Sequence, residues 1–171
     1  MMKTPLFTAP MSRRALLVGS ASTLVAACAS APKPRTSILD FQITVDRSVN
    51  PNENGNPSPI VMRIYELKSD TTFNSLDFFT LYDNDTSALG ADMIGRREFE
   101  LMPGSKSQMR TETSYETQYV GVIAGFRDIN SSTWRASKQI TREKMNMFLV
   151  NVTALAVELD LSLVTGKPLL Q

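Results

Sequence analysis

Between Leu39 and Val45 apolar and polar residues alternate, with Leu39, Phe41, Ile43 and Val45 on one side and Asp40, Gln42, Thr44 and Asp46 on the other. That two-residue period predicts a strand buried on one face. Ile60 to Leu67 (IVMRIYEL) is apolar on both sides apart from Arg63 and Glu66, which suggests a more central strand. Gly95 to Leu101 alternates again through Arg97, Phe99 and Leu101 and stops at the turn dipeptide Pro103-Gly104. Lys106 to Thr113 is polar, the pattern of an exposed edge. In Tyr119 to Phe126 (YVGVIAGF) both sides are apolar, and Gly121 and Gly125 leave room for neighbouring side chains to pack closely. Thr133 to Ile140, Asn146 to Val152 and Leu155 to Leu163 follow, the last with Leu155, Val157, Leu159, Leu161 and Leu163 on one side. Eight strands separated by polar turns predict an all-β domain, a two-sheet β-sandwich in which each sheet hides its apolar face against the other.

One segment breaks the two-residue period. Ser75 to Tyr82 (SLDFFTLY), with Asp83 to Gly90 after it, predicts a short helical insert: Ser75 and Asp85 are candidate caps and Gly90 a candidate terminator. Phe73, Leu76, Phe79 and Tyr82 recur every three residues, so they are expected on one face, packed against the sandwich.

The first 36 residues have a different character. Met1 to Arg14 is polar and basic, and Ala15 to Ala27 (ALLVGSASTLVAA) is a small and apolar run too short to cross a bilayer core of about 30 Å as a mature helix. Residues 1–27 therefore read as a signal peptide, with Met1 and Met11 as alternative starts. Arg13-Arg14 partly resembles a twin-arginine export signal, and the general secretion route also uses a basic start, so both routes stay open. Val25-Ala26-Ala27-Cys28 resembles the bacterial lipobox, in which the cysteine is lipidated and becomes the first residue after cleavage. Cys28 is the only cysteine in the chain and the expected lipidation site. Two or more fatty chains make attachment effectively permanent, where one is marginal. Ala29 follows the cysteine; an aspartate there would favour the inner membrane by analogy with enterobacterial lipoproteins, so the outer membrane is expected. Residues 28–36, with Pro32 and Pro34, read as a short extended tether and residues 37–171 as the β-sandwich domain.

Composition narrows the chemistry. The 171 residues contain no histidine, and one cysteine cannot pair internally, so no metal site of the zinc, copper or iron kind and no imidazole-dependent nucleophile is expected. Removing Lys3, Arg13 and Arg14 with the leader leaves 15 basic against 17 acidic residues, which gives no reason to expect a nucleic-acid partner. Asp83 to Ser87 suggests a calcium loop, but Ala88 and Ile94 stand where glycine and glutamate are required. The acid pairs Glu98/Glu100 and Asp83/Asp85 read as solvated.

Two connections carry more than a turn needs. Ser48 to Pro59 (SVNPNENGNPSP) holds four asparagines, three prolines and one glycine in twelve residues, where a hairpin needs about two to five. It reads either as a variable surface loop or as a binding loop stiffened by proline. Gly125 to Arg135 contains Asp128 and Asn130, which can bond to their own backbone, and Trp134, the only tryptophan. It is expected to be a rigid hairpin pinned by Trp134 and flanked by Arg127 and Arg135, with a partner contact as the other reading.

The lipobox at Cys28, the Asn/Pro loop, Ile60 to Leu67, Asp77-Phe78-Phe79-Thr80-Leu81-Tyr82, and Phe126-Arg127-Asp128 followed by Trp134-Arg135 together resemble the TssJ (VasD, SciN) lipoproteins of type VI secretion systems. The likeness spans roughly residues 28 to 160 and lies in order and spacing. It implies a transthyretin-like β-sandwich with short helices, anchored in the outer membrane and facing the periplasm. It implies no enzymatic activity, no cofactor beyond the covalent lipid and no small-molecule substrate. Its partner would be the periplasmic C-terminal region of the inner-membrane protein TssM. By the same resemblance the contact falls on the loop after the first strand, chiefly Asn50, Asn52, Glu53, Asn54 and Asn56. A different class of reading is a periplasm-facing binding module for a cell-wall sugar or small ligand, with its pocket at the two-glycine strand or the Phe-rich helix. A lipoprotein enzyme would instead require a cleft holding convergent polar groups.

Overall fold

In the computed structural model residues 35–162 are described; the leader, Cys28, most of the tether and Leu163 lie outside the described residues. The chain runs β1 (Ser37–Val45), β2 (Ile60–Leu67), α1 (Thr71–Ser75), α2 (Phe78–Leu89), a single 3-10 turn (Gly90–Asp92), β3 (Met93–Leu101), β4 (Lys106–Thr113), β5 (Tyr119–Ala124), β6 (Arg135–Gln139), β7 (Met145–Val152) and β8 (Val157–Ser162). All eight expected strands form. β5 stops two residues early, where the Phe126 N–H turns back to Ala124 O at 3.1 Å. β8 starts two residues late, because Thr153 and Ala156 close a turn.

The strands make two four-stranded sheets, ordered β4-β1-β7-β8 and β3-β2-β5-β6. Every pairing is antiparallel except β1 with β7, which run parallel from Ile38↔Met145 to Val45↔Val152. The alternation of β1 is used as read: Leu39, Phe41, Ile43 and Val45 are buried between the sheets. There Phe41 stacks on Phe148 of β7 at 5.1 Å, an offset arrangement aromatic rings favour. Ile60, Met62 and Ile64 of β2 and Val120, Val122 and Ala124 of β5 close the same core from the opposite sheet. β4 is an edge strand, as its polar sequence predicts.

β2 and β5 are apolar on both sides because the helices form a third layer. Tyr65, Leu67 and Ile123 on the outer side of their sheet pack with Phe73, Leu81 and Leu89 into a second core. Gly121 makes this layer fit: a Cβ there would stand 2.7 Å from Cζ of Phe73. At Gly125 a Cβ would meet Tyr82 and the Val61 carbonyl at 3.6 Å, an ordinary contact.

Three helical expectations need correction. The chain breaks at Leu76, whose ψ of 149° is extended, and Asp77 rather than Ser75 caps α2, accepting from the Thr80 N–H at 2.9 Å. Restarting the helix at Asp77 shifts its phase. Phe78 and Tyr82, one turn apart, therefore stack at 5.1 Å against the sandwich, and Phe79 stands 64% exposed. Asp85 is neither a cap nor solvated: α2 kinks just before it at Asn84 (φ −132°, ψ 27°), and its side chain is buried against Tyr65 and Arg96. Gly90 ends α2 with a φ of 50°, as expected. Among the described residues no helix is long and apolar enough to cross a membrane.

Candidate docking surface

Consecutive strands alternate in direction, so the connections β1–β2 (46–59), β3–β4 (102–105), β5–β6 (125–134) and β7–β8 (153–156) gather at one end of the sandwich. The chain enters at the other end, where Ser37 pairs with Thr113 at the close of β4. β1 separates the two ends by its own length, about 27 Å at about 3.4 Å per residue.

At the loop end Asn50 ties three connections together. Its N–H donates to Ala154 O at 3.0 Å, its Nδ2 donates to Pro59 O at 2.9 Å, and its Oδ1 accepts the Arg127 N–H at 2.8 Å. Its φ is 49°, a left-handed conformation that asparagine tolerates better than most residues. Asn50 is 4% exposed, so the geometry makes it a scaffold residue of the loop. Asn52 organises the tip: its Oδ1 accepts the Asn54 and Asn56 N–H groups at 3.0 and 2.9 Å, and its own N–H donates to Asn56 O. Gly55, at φ 76°, turns the chain inside this ring. Glu53, Asn54 and Asn56 are exposed and make no side-chain hydrogen bond among the described residues. The five asparagine-loop positions thus divide into two that shape the loop and three that display it.

The loop and the β5–β6 hairpin form the two walls of an open cleft of 590 Å³, lined by Pro51, Asn52, Glu53, Asn54, Arg127, Asp128 and Leu155. Asp128 Oδ1 accepts the Ser131 N–H at 3.2 Å and shapes the hairpin as the sequence suggests. Trp134 pins it, meeting Phe78 edge-on at 5.2 Å, with the Arg135 guanidinium 4.5 Å from the indole centre. Arg135 in turn donates to the carbonyls of Phe73 and Leu76 at 2.9 and 2.7 Å, and burial pushes its pKa down. The sequence reading puts Leu155 in the last strand, not at this site, and Pro51 only within the loop. The signal that finds them is strand parity, because every odd-to-even connection of a meandering sandwich shares an end.

The buried acids lie away from this cleft. Asp85 receives the Tyr65 hydroxyl at 3.0 Å and Arg96 Nη1 at 2.7 Å, with Arg63 Nη1 at 3.6 Å. Burial raises this carboxyl, but the bonds from Arg96 and Tyr65 outweigh it and hold it below its ordinary value. Arg63 also pairs with Glu98 at 2.6 Å and lies over the Tyr82 ring at 4.1 Å, so the cluster fastens α2 to β2 and β3. Asp40 is fully buried on the outer side of β1, where Gln108 at 3.0 Å and Arg110 hold it. Asp83 and Glu100 are exposed, in line with the solvated reading, whereas Glu98, also exposed, is paired with Arg63. The pockets expected beside the two-glycine strand and the Phe-rich helix are filled: Phe73 occupies the space at Gly121, and Tyr82 and Phe78 that at Gly125.

Residues 37–160 match the family model described as type VI secretion lipoprotein, VasD, EvfM, TssJ. The lipoprotein TssJ1 of Pseudomonas aeruginosa superposes with a TM-score of 0.72 at 28% identity, over 74% of this chain and 97% of that one. A chain of the structure named Type VI membrane complex superposes with a TM-score of 0.64 at 25% identity, over 72% and 97%. A chain of the structure named for the TssM C-terminal domain (869–1107) of EAEC gives a TM-score of 0.60 at 24% identity, over 72% and 97%. No curated protein matches the chain. The sandwich, its helical third layer and the span of the family match together make this chain a member of the type VI secretion lipoprotein family.

Proposed function

We propose that the protein is held in the outer membrane by lipid on Cys28, faces the periplasm, and docks the periplasmic C-terminal region of TssM with the loop end of its sandwich. The observation that carries this reading is polarity: the chain enters at one end of the domain and the connections 46–59 and 125–134 cluster at the other. An anchor at one end and a grip at the other suit a mechanical link between two membranes, and the role involves no catalytic step. The three displayed residues Glu53, Asn54 and Asn56 sit on a loop already ordered by Asn50 and Asn52, so little conformational entropy is lost on binding.

The likeness to a chain of a type VI membrane complex supports assembly with other envelope components. The same fold occurs in a chain of the structure named for the TssM C-terminal domain (869–1107) of EAEC, which is in keeping with this reading.

Cys28→Ser tests the mechanical part. The variant should fold and bind a soluble TssM fragment as before, yet support no secretion. Normal secretion by a chain shown to carry no lipid would refute the anchor.

A further inference from the structure

We propose that the end of the sandwich at which the chain enters is a membrane-contacting surface that takes anionic phospholipid headgroups. This inference rests on the anchoring reading above and extends it, from a lipid on one cysteine to a face of the folded domain.

Cys28 is seven residues from Arg35, so a fully extended chain between them reaches at most about 25 Å. That tether keeps the entry end close to the bilayer, and the side chains there suit it. Arg35, Arg142 and Lys144 are exposed around the root of β1, together with Tyr115, 49% exposed, and Met145, 47% exposed. Basic residues next to a tyrosine and a flexible apolar side chain are the composition favoured at a headgroup layer. Acids are present too: Glu112 and Glu143 are exposed, and Glu116 pairs with Lys68 at 3.2 Å.

The surface is built, not a set of independent side chains. Ser37 Oγ accepts the Glu143 N–H at 2.8 Å, and Lys144 O accepts the Ile38 N–H at 3.1 Å, which bolts the β6–β7 connection to the first residues of β1. Asn146, 1% exposed, holds that connection from inside through Thr141 and Lys144 O. Arg142 Nη2 donates to Tyr115 O at 3.0 Å and joins the β4–β5 connection to it. The backbone that carries the cations and the two apolar side chains is thereby held in place at this end, and the Arg142 side chain is already ordered, which limits what is lost when it meets lipid.

The sole thiol of the chain permits a test that does not depend on native acylation. The chain without its first 27 residues is coupled through Cys28 to a maleimide lipid, in vesicles of phosphatidylcholine alone or with phosphatidylglycerol added. Amine labelling read by mass spectrometry then compares Lys144 at the entry end with Lys106 at the loop end. On phosphatidylglycerol the Lys144-to-Lys106 labelling ratio should fall by at least roughly fivefold, and recover in roughly 0.5 M salt or in the variant Tyr115→Ser with Arg142→Gln. Equal ratios on the two vesicle surfaces, whether both high or both low, would overturn the proposal. No TssM is present, so that result would leave the docking reading untouched.

Discussion

The carboxamide of Asn50 accepts the backbone N–H of Arg127 at 2.8 Å, across 77 positions of sequence, and so fixes the loop after β1 to the hairpin after β5. Removing that side chain takes away two part-buried hydrogen bonds, those of the Arg127 N–H and the Pro59 carbonyl. Asn50→Ala should cost about 2 kcal/mol in chemical denaturation and speed amide exchange at Arg127. Asn50→Gly keeps the left-handed backbone but not the bonds, so it should recover only a fraction of the loss. Unchanged exchange at Arg127 in both variants would show that the two connections are held by other contacts.

The fold is largely legible because strand periodicity reports which side of a sheet faces the core: Leu39, Phe41, Ile43 and Val45 follow it, while Asp40, on the other side of β1, is buried as well beneath Gln108 and Arg110. The helical layer was legible in outline only. A three-residue aromatic spacing cannot show that Asp77 restarts the helix, so it puts Phe79 on the packed face and leaves Phe78 off it. Asp85 reads as solvated in the sequence because its partners, the Arg96 guanidinium and the Tyr65 hydroxyl, come from β3 and β2 and not from its own helix. At the loop end the loop itself is visible in its composition. The division of labour within it was not, since only the hydrogen bonds separate Asn50 and Asn52 from Glu53, Asn54 and Asn56.

Gly121 admits the ring of Phe73, with 2.7 Å between its missing Cβ position and Cζ of Phe73. Gly121→Ala should lower stability by about 1–3 kcal/mol through overpacking. Phe73→Leu in the same chain should return part of it, since the two sites share one space. Strict additivity in the double-mutant cycle would deny that the helical layer is seated by this contact.

Asp40 and Asp85 make stability depend on pH. At Asp40 burial raises the carboxyl, but the bonds from Gln108 and Arg110 outweigh it, and the net shift is downward as at Asp85. A carboxyl whose folded pKa lies below its unfolded one contributes stability in full above the ordinary value of 3.8 and loses it as the pH falls through the folded one. Asp40→Asn should therefore cost about 1–2 kcal/mol at pH 7, a modest figure because solvent screens the exposed Arg110. The gap to the unsubstituted protein should narrow below pH 3.8. A gap that stays constant between pH 7 and pH 2 would contradict the depressed carboxyl.

The central claim is that the loop end of the sandwich grips TssM, and calorimetric titration with the soluble periplasmic C-terminal region of TssM reads it most directly. Replacing Glu53, Asn54 and Asn56 together by serine should leave the melting temperature unchanged and weaken binding by about tenfold or more, equivalent to about 1.4 kcal/mol. Equal affinity for the substituted and unsubstituted chains would contradict docking through this loop.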